Sequence, residues 1–283
     1  MSQFRKKGYL LLCLLFPAMF SLPVRADLIL SAPPRQMEAQ ADAVYNPIAQ
    51  LLSKATGQKV TYKFVDNWLS YESDVLKDKY DIVFDGPAFI GWRMAKYGWS
   101  PIVKLPAELS IVVAVSNTNT SIKNLTDLEG YPICGFSPPN LATLVVQYQF
   151  TNPSRQPNII AVKTFPDAYQ GVLSGKCVAA ILNAKIYKIL NGKTQAMRVV
   201  FRSKPMANQA FSASPRVTPQ MRNQIANALL SPEGLAATQK LRAQFKAKQF
   251  VPATDQEYSG LGRYMRDVWG FDLPSSSQQP AAQ

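Results

Sequence analysis

"YDIVFDGPAFIGWR", residues 80–93, decides how this chain is read. Tyr80, Ile82, Val83 and Phe84 make an apolar run about as long as a buried strand. Asp85, Gly86 and Pro87 stop it, and an aromatic stretch with helical spacing follows. Pro87 suits the first turn of a helix, where its missing N–H leaves no bond unmade. The segment is one strand–turn–helix unit. Its turn poses the functional question: Asp85 is either a catalytic carboxylate or part of the edge of a binding cleft.

Further units of this kind flank it. Upstream, residues 28–30 open a short strand, and residues 44–55 read as a helix ended by Gly57. Residues 60–65 alternate as a strand, and residues 71–77 make a helical turn or two. Downstream, residues 109–115 ("LSIVVAV") form a long apolar strand that runs into a polar break at 117–121. The alternation then restarts, with strands at 133–136, 159–162, 178–182 and 198–201. Helices at 125–128, 141–150, 168–173 and 184–190 lie between them. From residue 218 onward the pattern is helical, at 218–230, 232–247 and 255–269, without a strong strand signal.

Alternating strands and helices argue for parallel sheets with helices on their faces, an α/β fold. The division expected is a first lobe over residues 27–112 and a second over 113–206. Helices in 207–273 pack back on the first lobe, and 274–283 is a disordered tail low in apolar residues. The chain then crosses between lobes near 112–120 and near 203–212, leaving a cleft that can close on a ligand.

The first 26 residues carry an export signal. Arg5, Lys6 and Lys7 precede a mostly apolar stretch to Leu22, and Val24-Arg25-Ala26 offers a cleavage site after Ala26. That stretch is too short to span a bilayer, and no later segment reaches the roughly 20 apolar residues a span needs. The mature protein is therefore expected to be exported and soluble. Removing residues 1–26 takes away four basic residues (Arg5, Lys6, Lys7, Arg25) and no acidic one, so the net charge falls from +13 to +9. The basic residues are scattered without a run of five, which argues against a nucleic-acid arm. A basic exported protein suits an anionic partner, or owes its charge to solubility alone.

The chain has no histidine. A Ser-His-Asp triad, a Cys-His dyad and His-ligated zinc are excluded together. No cofactor and no metal are expected. After the signal, two cysteines remain, Cys134 and Cys177, and an even count in an oxidising compartment points to one disulfide.

In open α/β sheets, ligands bind beyond the carboxyl ends of the strands. The turns there are Ala32-Pro33-Pro34-Arg35, the aromatic loop Asp66 to Tyr71, Asp85 to Phe89, Ser137 to Thr143, Asn183-Ala184-Lys185 and Arg202-Ser203-Lys204. In "SPPNLAT", Asn140 has the chemistry of an N-cap, and the free N–H groups of Leu141, Ala142 and Thr143 offer an anion site. An ordinarily capped helix explains the motif equally. Trp68 and Tyr71, with Ser70 between them, line the cleft or belong to the core. Asp85 has no nucleophile, second carboxylate or metal-ligand cluster nearby in sequence, so it is read as structural.

The chain resembles a known family, the exported solute-binding proteins of ABC transporters of the phosphonate/phosphite/phosphate-binding type. The segments that carry this are "YNPIAQLLSKATGQKV", "WLSYESDVLKDKYDIVFDGPAFIGWR", "IKNLTDLEGYPICGF" and "YQGVLSGKCVAAIL". The resemblance implies a two-lobe type II periplasmic-binding-protein fold, each lobe a mostly parallel sheet flanked by helices, with no chemistry of its own. It implies a monomer in the periplasm that holds a small, phosphonate- or phosphate-like anion for a transporter permease. The family's first-lobe tyrosine falls on Tyr71. Its second aromatic hydroxyl falls on Phe89, which has none, and its hydroxyl-rich Ser-Thr-Ser turn falls on Asn140-Leu141-Ala142. Together with the turns beyond the strand ends, these positions give the candidate ligand set Tyr71, Trp68, Ser70, Asp85, Phe89, Ser137, Asn140, Leu141, Ala142, Thr143 and Asn183. In the implied fold the strands at Cys134 and Cys177 are neighbours, which favours their disulfide. Two other roles stay open: a periplasmic sensor module signalling to a membrane receptor, and a hydrolase working without histidine.

Overall fold

The computed structural model describes residues 27–272. The export signal at 1–26 and the tail at 274–283 lie outside the described residues. No helix among the described residues is long and apolar enough to cross a membrane.

The first lobe begins with β1 (Leu28–Ser31), α1 (Glu38–Thr56), β2 (Val60–Lys63) and α2 (Trp68–Leu76). It continues with β3 (Ile82–Asp85), α3 (Pro87–Tyr97) and β4 (Ser100–Lys104). The second lobe holds β5 (Ile111–Ser116), β6 (Pro132–Gly135), α4 (Leu141–Gln147), β7 (Asn158–Ala161), α5 (Phe165–Leu173), β8 (Ala179–Asn183), α6 (Ala184–Thr194) and β9 (Met197–Arg202). The chain returns with β10 (Ala210–Ala213), then α7 (Pro219–Leu230), α8 (Pro232–Ala237), α9 (Gln239–Gln244), β11 (Val251–Pro252) and α10 (Asp255–Tyr258). The first sheet runs β11-β4-β10-β3-β1-β2, and the second β7-β6-β8-β5-β9.

Both sheets are mixed, where the resemblance implies mostly parallel ones. β1 pairs parallel with β2 and β3, but β10 lies antiparallel between β3 and β4. β6 pairs parallel with β7 and β8, but β5 lies antiparallel between β8 and β9. The cause is the double crossing. Strands such as β3 and β6 run toward the cleft, whereas β5 and β10 start at it, and each slots into the middle of its sheet running the other way.

The first crossing lies at residues 105–110, earlier than the polar break at 117–121 leads one to expect. β5 is paired from Ile111 onward with β8 and β9, so residues 111–116 belong to the second sheet. The return crossing, residues 203–209, runs beside the first: Leu109 and Met206 exchange two backbone hydrogen bonds, each 2.9 Å. β4 and β10 carry weak strand signals, because Pro101 interrupts one and the other is the small-residue run "AFSA". The C-terminal region is likewise less regular than three helices. It contains β11, and Gly260, at φ 73°, ends the helical pattern after α10.

Alternation divides each central strand between two cores. Ile82 and Phe84 join the side chains under α1 and α7, while Val83 faces α2 and α3. Ile111, Val113 and Val115 face α4, while Val112 and Ala114 face α5. Burial on both faces explains why these strands read as continuous apolar runs.

A disulfide joins Cys134 and Cys177, with a Cα separation of 5.7 Å. Cys134 lies in β6, but Cys177 precedes β8 in the turn after α5, so the bond ties strand to turn instead of strand to strand. It needs Gly171 beside it, where a Cβ would stand 2.5 Å from Cys134 Sγ.

The turn at residues 261–265 makes a further contact between lobes. Gly262 sits against Gly91 of α3 so closely that a Cβ on Gly91 would lie 2.6 Å from Gly262 N. From this seat Tyr264 packs edge-to-face on Tyr148, and Arg266 donates to the Phe150 carbonyl, both in the second lobe.

Candidate ligand-binding site

β1, β3 and β6 all end at the cleft, and their following turns face one another across it. Arg35, Trp68, Asp85, Gly86, Pro87, Ala88 and Phe89 come from the first lobe; Pro139, Asn140 and Leu141 come from the second; Gln209 comes from the return crossing. Together they line a cavity of about 110 Å³.

The turn Asp85-Gly86-Pro87 builds one wall. β3 runs out at Asp85, and α3 starts at Pro87. Asp85 is only 1% exposed. Its carboxylate accepts from Tyr71 Oη at 2.5 Å, Arg93 Nη2 at 2.9 Å and Gly86 N at 2.5 Å. Arg93 comes from the second turn of α3, is equally buried, and lies 4.8 Å from the Trp99 ring. A buried charge demands such a partner, because an unpaired one costs several kcal/mol. Burial, with the Asp85 carboxylate behind it, pushes the Tyr71 hydroxyl well above its ordinary range, so it remains a donor.

The aromatic residues divide their labour. Trp68 stacks on Phe89 with ring centres 6.1 Å apart, and both line the cavity. Tyr71 does not. It is wholly buried between Tyr80 and Phe89, and its hydroxyl is spent on Asp85. Ser70, one residue earlier on α2, faces outward into a separate groove beside Glu38 and Ser73.

The second-lobe wall is lighter. Asn140 caps α4 by accepting the Ala142 N–H at 3.0 Å, so that N–H is already used. Thr143 is buried, and its hydroxyl closes the preceding loop by donating to the Phe136 carbonyl. Ser137 is exposed, and its carbonyl accepts from Asn140 N. Asn183 caps α6 through Lys185 N at 2.9 Å and stands away from the cavity. The wall therefore gathers Trp68, Asp85, Phe89, Asn140 and Leu141 from the expected set. It leaves Tyr71, Ser70, Ser137, Ala142, Thr143 and Asn183 behind or beside it.

Two further wall residues carry most of the chemistry. Arg35 follows β1, and among the described residues it has no carboxylate in ion-pair reach. Gln209 presents a buried Oε1 without a hydrogen-bond donor. Arg35 was legible as a cation at a strand's carboxyl end. Gln209 gave no sequence signal, because only the return crossing brings it to the cleft.

Two α/β lobes, crossed twice by the chain and closed over a cavity beyond the strand ends, define a two-lobe solute-binding protein of the type II periplasmic kind. The family model for ABC-transporter phosphonate periplasmic substrate-binding proteins matches residues 30–258, and the chain belongs to that family. It is a substrate-binding protein, not an enzyme, and its partners are a small-molecule ligand and the membrane components of a transporter. Among curated proteins no sequence matches this chain. Solved structures share its fold. PhnD1 of Prochlorococcus marinus, in complex with methylphosphonate, is 17% identical over 86% of this chain and 98% of that one, with a TM-score of 0.59. A Xanthomonas citri protein bound to ATP is 13% identical over 87% and 100%, with a TM-score of 0.63. A binding-protein component of a phosphonate transporter from Pseudomonas aeruginosa is 12% identical over 89% and 91%, with a TM-score of 0.56.

Proposed function

We propose that the protein captures a small anion of the phosphonate or phosphate class between its lobes in the periplasm and delivers it to an ABC transporter. The observation that carries this is Arg35, a cation without an acidic partner on the wall of a cavity that both lobes close. A cavity of about 110 Å³ favours a tetrahedral anion of few atoms. Sites for drug-sized molecules run to about 300–1,000 Å³, which counts against a nucleotide. Asp85 holds the first-lobe wall and takes no catalytic role.

Isothermal titration with methylphosphonate, phosphite, phosphate and sulfate tests the reading. At least one phosphorus oxyanion should bind. Arg35→Ala should weaken it by roughly 10- to 100-fold, the worth of a charge-assisted hydrogen-bond set. The thermal unfolding temperature without ligand should hardly move. Absence of binding by every anion in the panel would overturn the proposal.

A further inference from the structure

A second, larger opening lies beside the two crossings, a groove of about 420 Å³. It shares no lining residue with the ligand cavity. Leu105 and Phe245 give it apolar surface, and three lysines line it. Lys185 comes from the start of α6 in the second lobe, and Lys246 and Lys248 from the turn after α9 in the first. No carboxylate lines the groove. Among the described residues none of the three lysines has a carboxylate in ion-pair reach. Like charges from both lobes therefore converge on one opening.

The groove is firmly framed. Arg242 of α9 donates to the Leu235 and Lys248 carbonyls, and its own carbonyl accepts the Ala247 N–H at 3.0 Å. These bonds hold Lys246 at φ 51°, a left-handed conformation that a residue with a side chain adopts only when its surroundings impose it. On the other side, Asn208 donates its amide to the Ala107 carbonyl at 2.7 Å and so ties the two crossings together. The groove also touches the supports of the ligand cavity. Asn208 precedes Gln209, and the Phe245 ring lies 5.7 Å from the Arg35 guanidinium.

We infer that this groove is a second ligand site, that it takes an organic anion bearing two or more carboxylate or phosphate groups, and that its occupant favours closure of the lobes. The volume suits a small organic molecule, and a single tetrahedral anion would leave most of it to water. Apolar surface receives the body of the molecule while the lysines receive its charges. Empty, the groove sets Lys185 against Lys246 and Lys248 as the lobes approach. Occupied, it replaces that repulsion with attraction to one bridging anion, and a ligand that contacts both lobes binds the closed arrangement better than the open one. The closing role rests on the anion-binding function proposed above; the groove's own affinity does not.

Benzene-1,3,5-tricarboxylate is the probe. Titration calorimetry on the purified protein at low salt should find one saturable site for it. Benzoate, with the same ring and one charge, should bind more weakly by roughly tenfold or more. Lys185→Gln, and separately Lys246→Gln with Lys248→Gln, should each weaken the tricarboxylate by roughly threefold or more, the scale of partly exposed ion pairs. All three lysines are exposed, so the unfolding temperature should hardly move. Saturating methylphosphonate should tighten the tricarboxylate by about threefold, and the tricarboxylate should tighten methylphosphonate by the same factor. Displacement of one by the other would show a single shared site, and mutual indifference would remove the closing role; either overturns the inference. Lysine variants that bind the tricarboxylate as the wild type does would overturn it as well. If methylphosphonate and its relatives do not bind at all, the anion-binding function falls, and the lysine variants still decide the groove.

Discussion

The two walls of the cavity are made of different material. The first-lobe wall rests on a buried ion pair, Asp85 with Arg93, braced by Tyr71 and packed under Trp68 and Phe89. The second-lobe wall is the uncharged turn Pro139-Asn140-Leu141, fixed by one cap hydrogen bond and by the loop-closing hydroxyl of Thr143. Behind that turn stands β6, stapled at Cys134. One wall is rigid because moving it would separate buried charges. The other is light, and its stiffness comes from a covalent bond at a distance. A clam of this kind can keep its recognition chemistry on one jaw while the other closes over it.

The largest expected effect breaks the first wall. Arg93→Met keeps much of the volume but strands the Asp85 carboxylate, which should cost about 3–5 kcal/mol in urea unfolding. A loss below about 1 kcal/mol would show that the pair is not what holds this wall.

The second wall is tested through its staple. Replacing Cys134 and Cys177 together by alanine reopens a 43-residue separation. Loop-closure entropy sets an upper figure of about 4 kcal/mol for the loss. The protein purified without reductant should show no alkylation at either cysteine by mass spectrometry. Free thiols would remove the staple from the comparison.

A smaller effect is expected at the turn itself. Asn140→Ala removes the cap on α4 and should cost about 1 kcal/mol. If the two walls differ as described, this variant loses far less stability than Arg93→Met. Equal losses would erase the distinction.

A further effect is read along the acid limb of the stability profile. Burial alone would raise the Asp74 carboxyl, but hydrogen bonds from Lys63, Lys79 and Tyr80 outweigh it and lower the carboxyl to about 2. A depressed folded value means that the stabilisation is present above the ordinary value of 3.8 and fades as the pH falls toward about 2. Asp74→Asn should flatten the stability profile between pH 4 and 2. An unchanged acid limb would place its cause elsewhere.

Local chemistry determines a good part of this protein. The apolar run at 82–84, the stop at Asp85-Gly86 and the helix start at Pro87 were legible because strand burial, turn formation and helix initiation each act within a few residues. Gly57 at the end of α1 and Asn140 at the start of α4 were legible for the same reason. The absence of histidine removed whole classes of catalysis at once. What the sequence could not decide was direction and proximity. The antiparallel placement of β5 and β10 follows from the double crossing, and the small-residue strand Ala210–Ala213 is a strand because its neighbours hold it there. Tyr71 and Asp85 are 14 residues apart, Asp85 and Arg93 are eight, and only packing made them one buried network. Gln209 reaches the cavity through the return crossing. Burial and charge pairing are properties of residues brought together across the chain, and tertiary structure alone determines which residues those are.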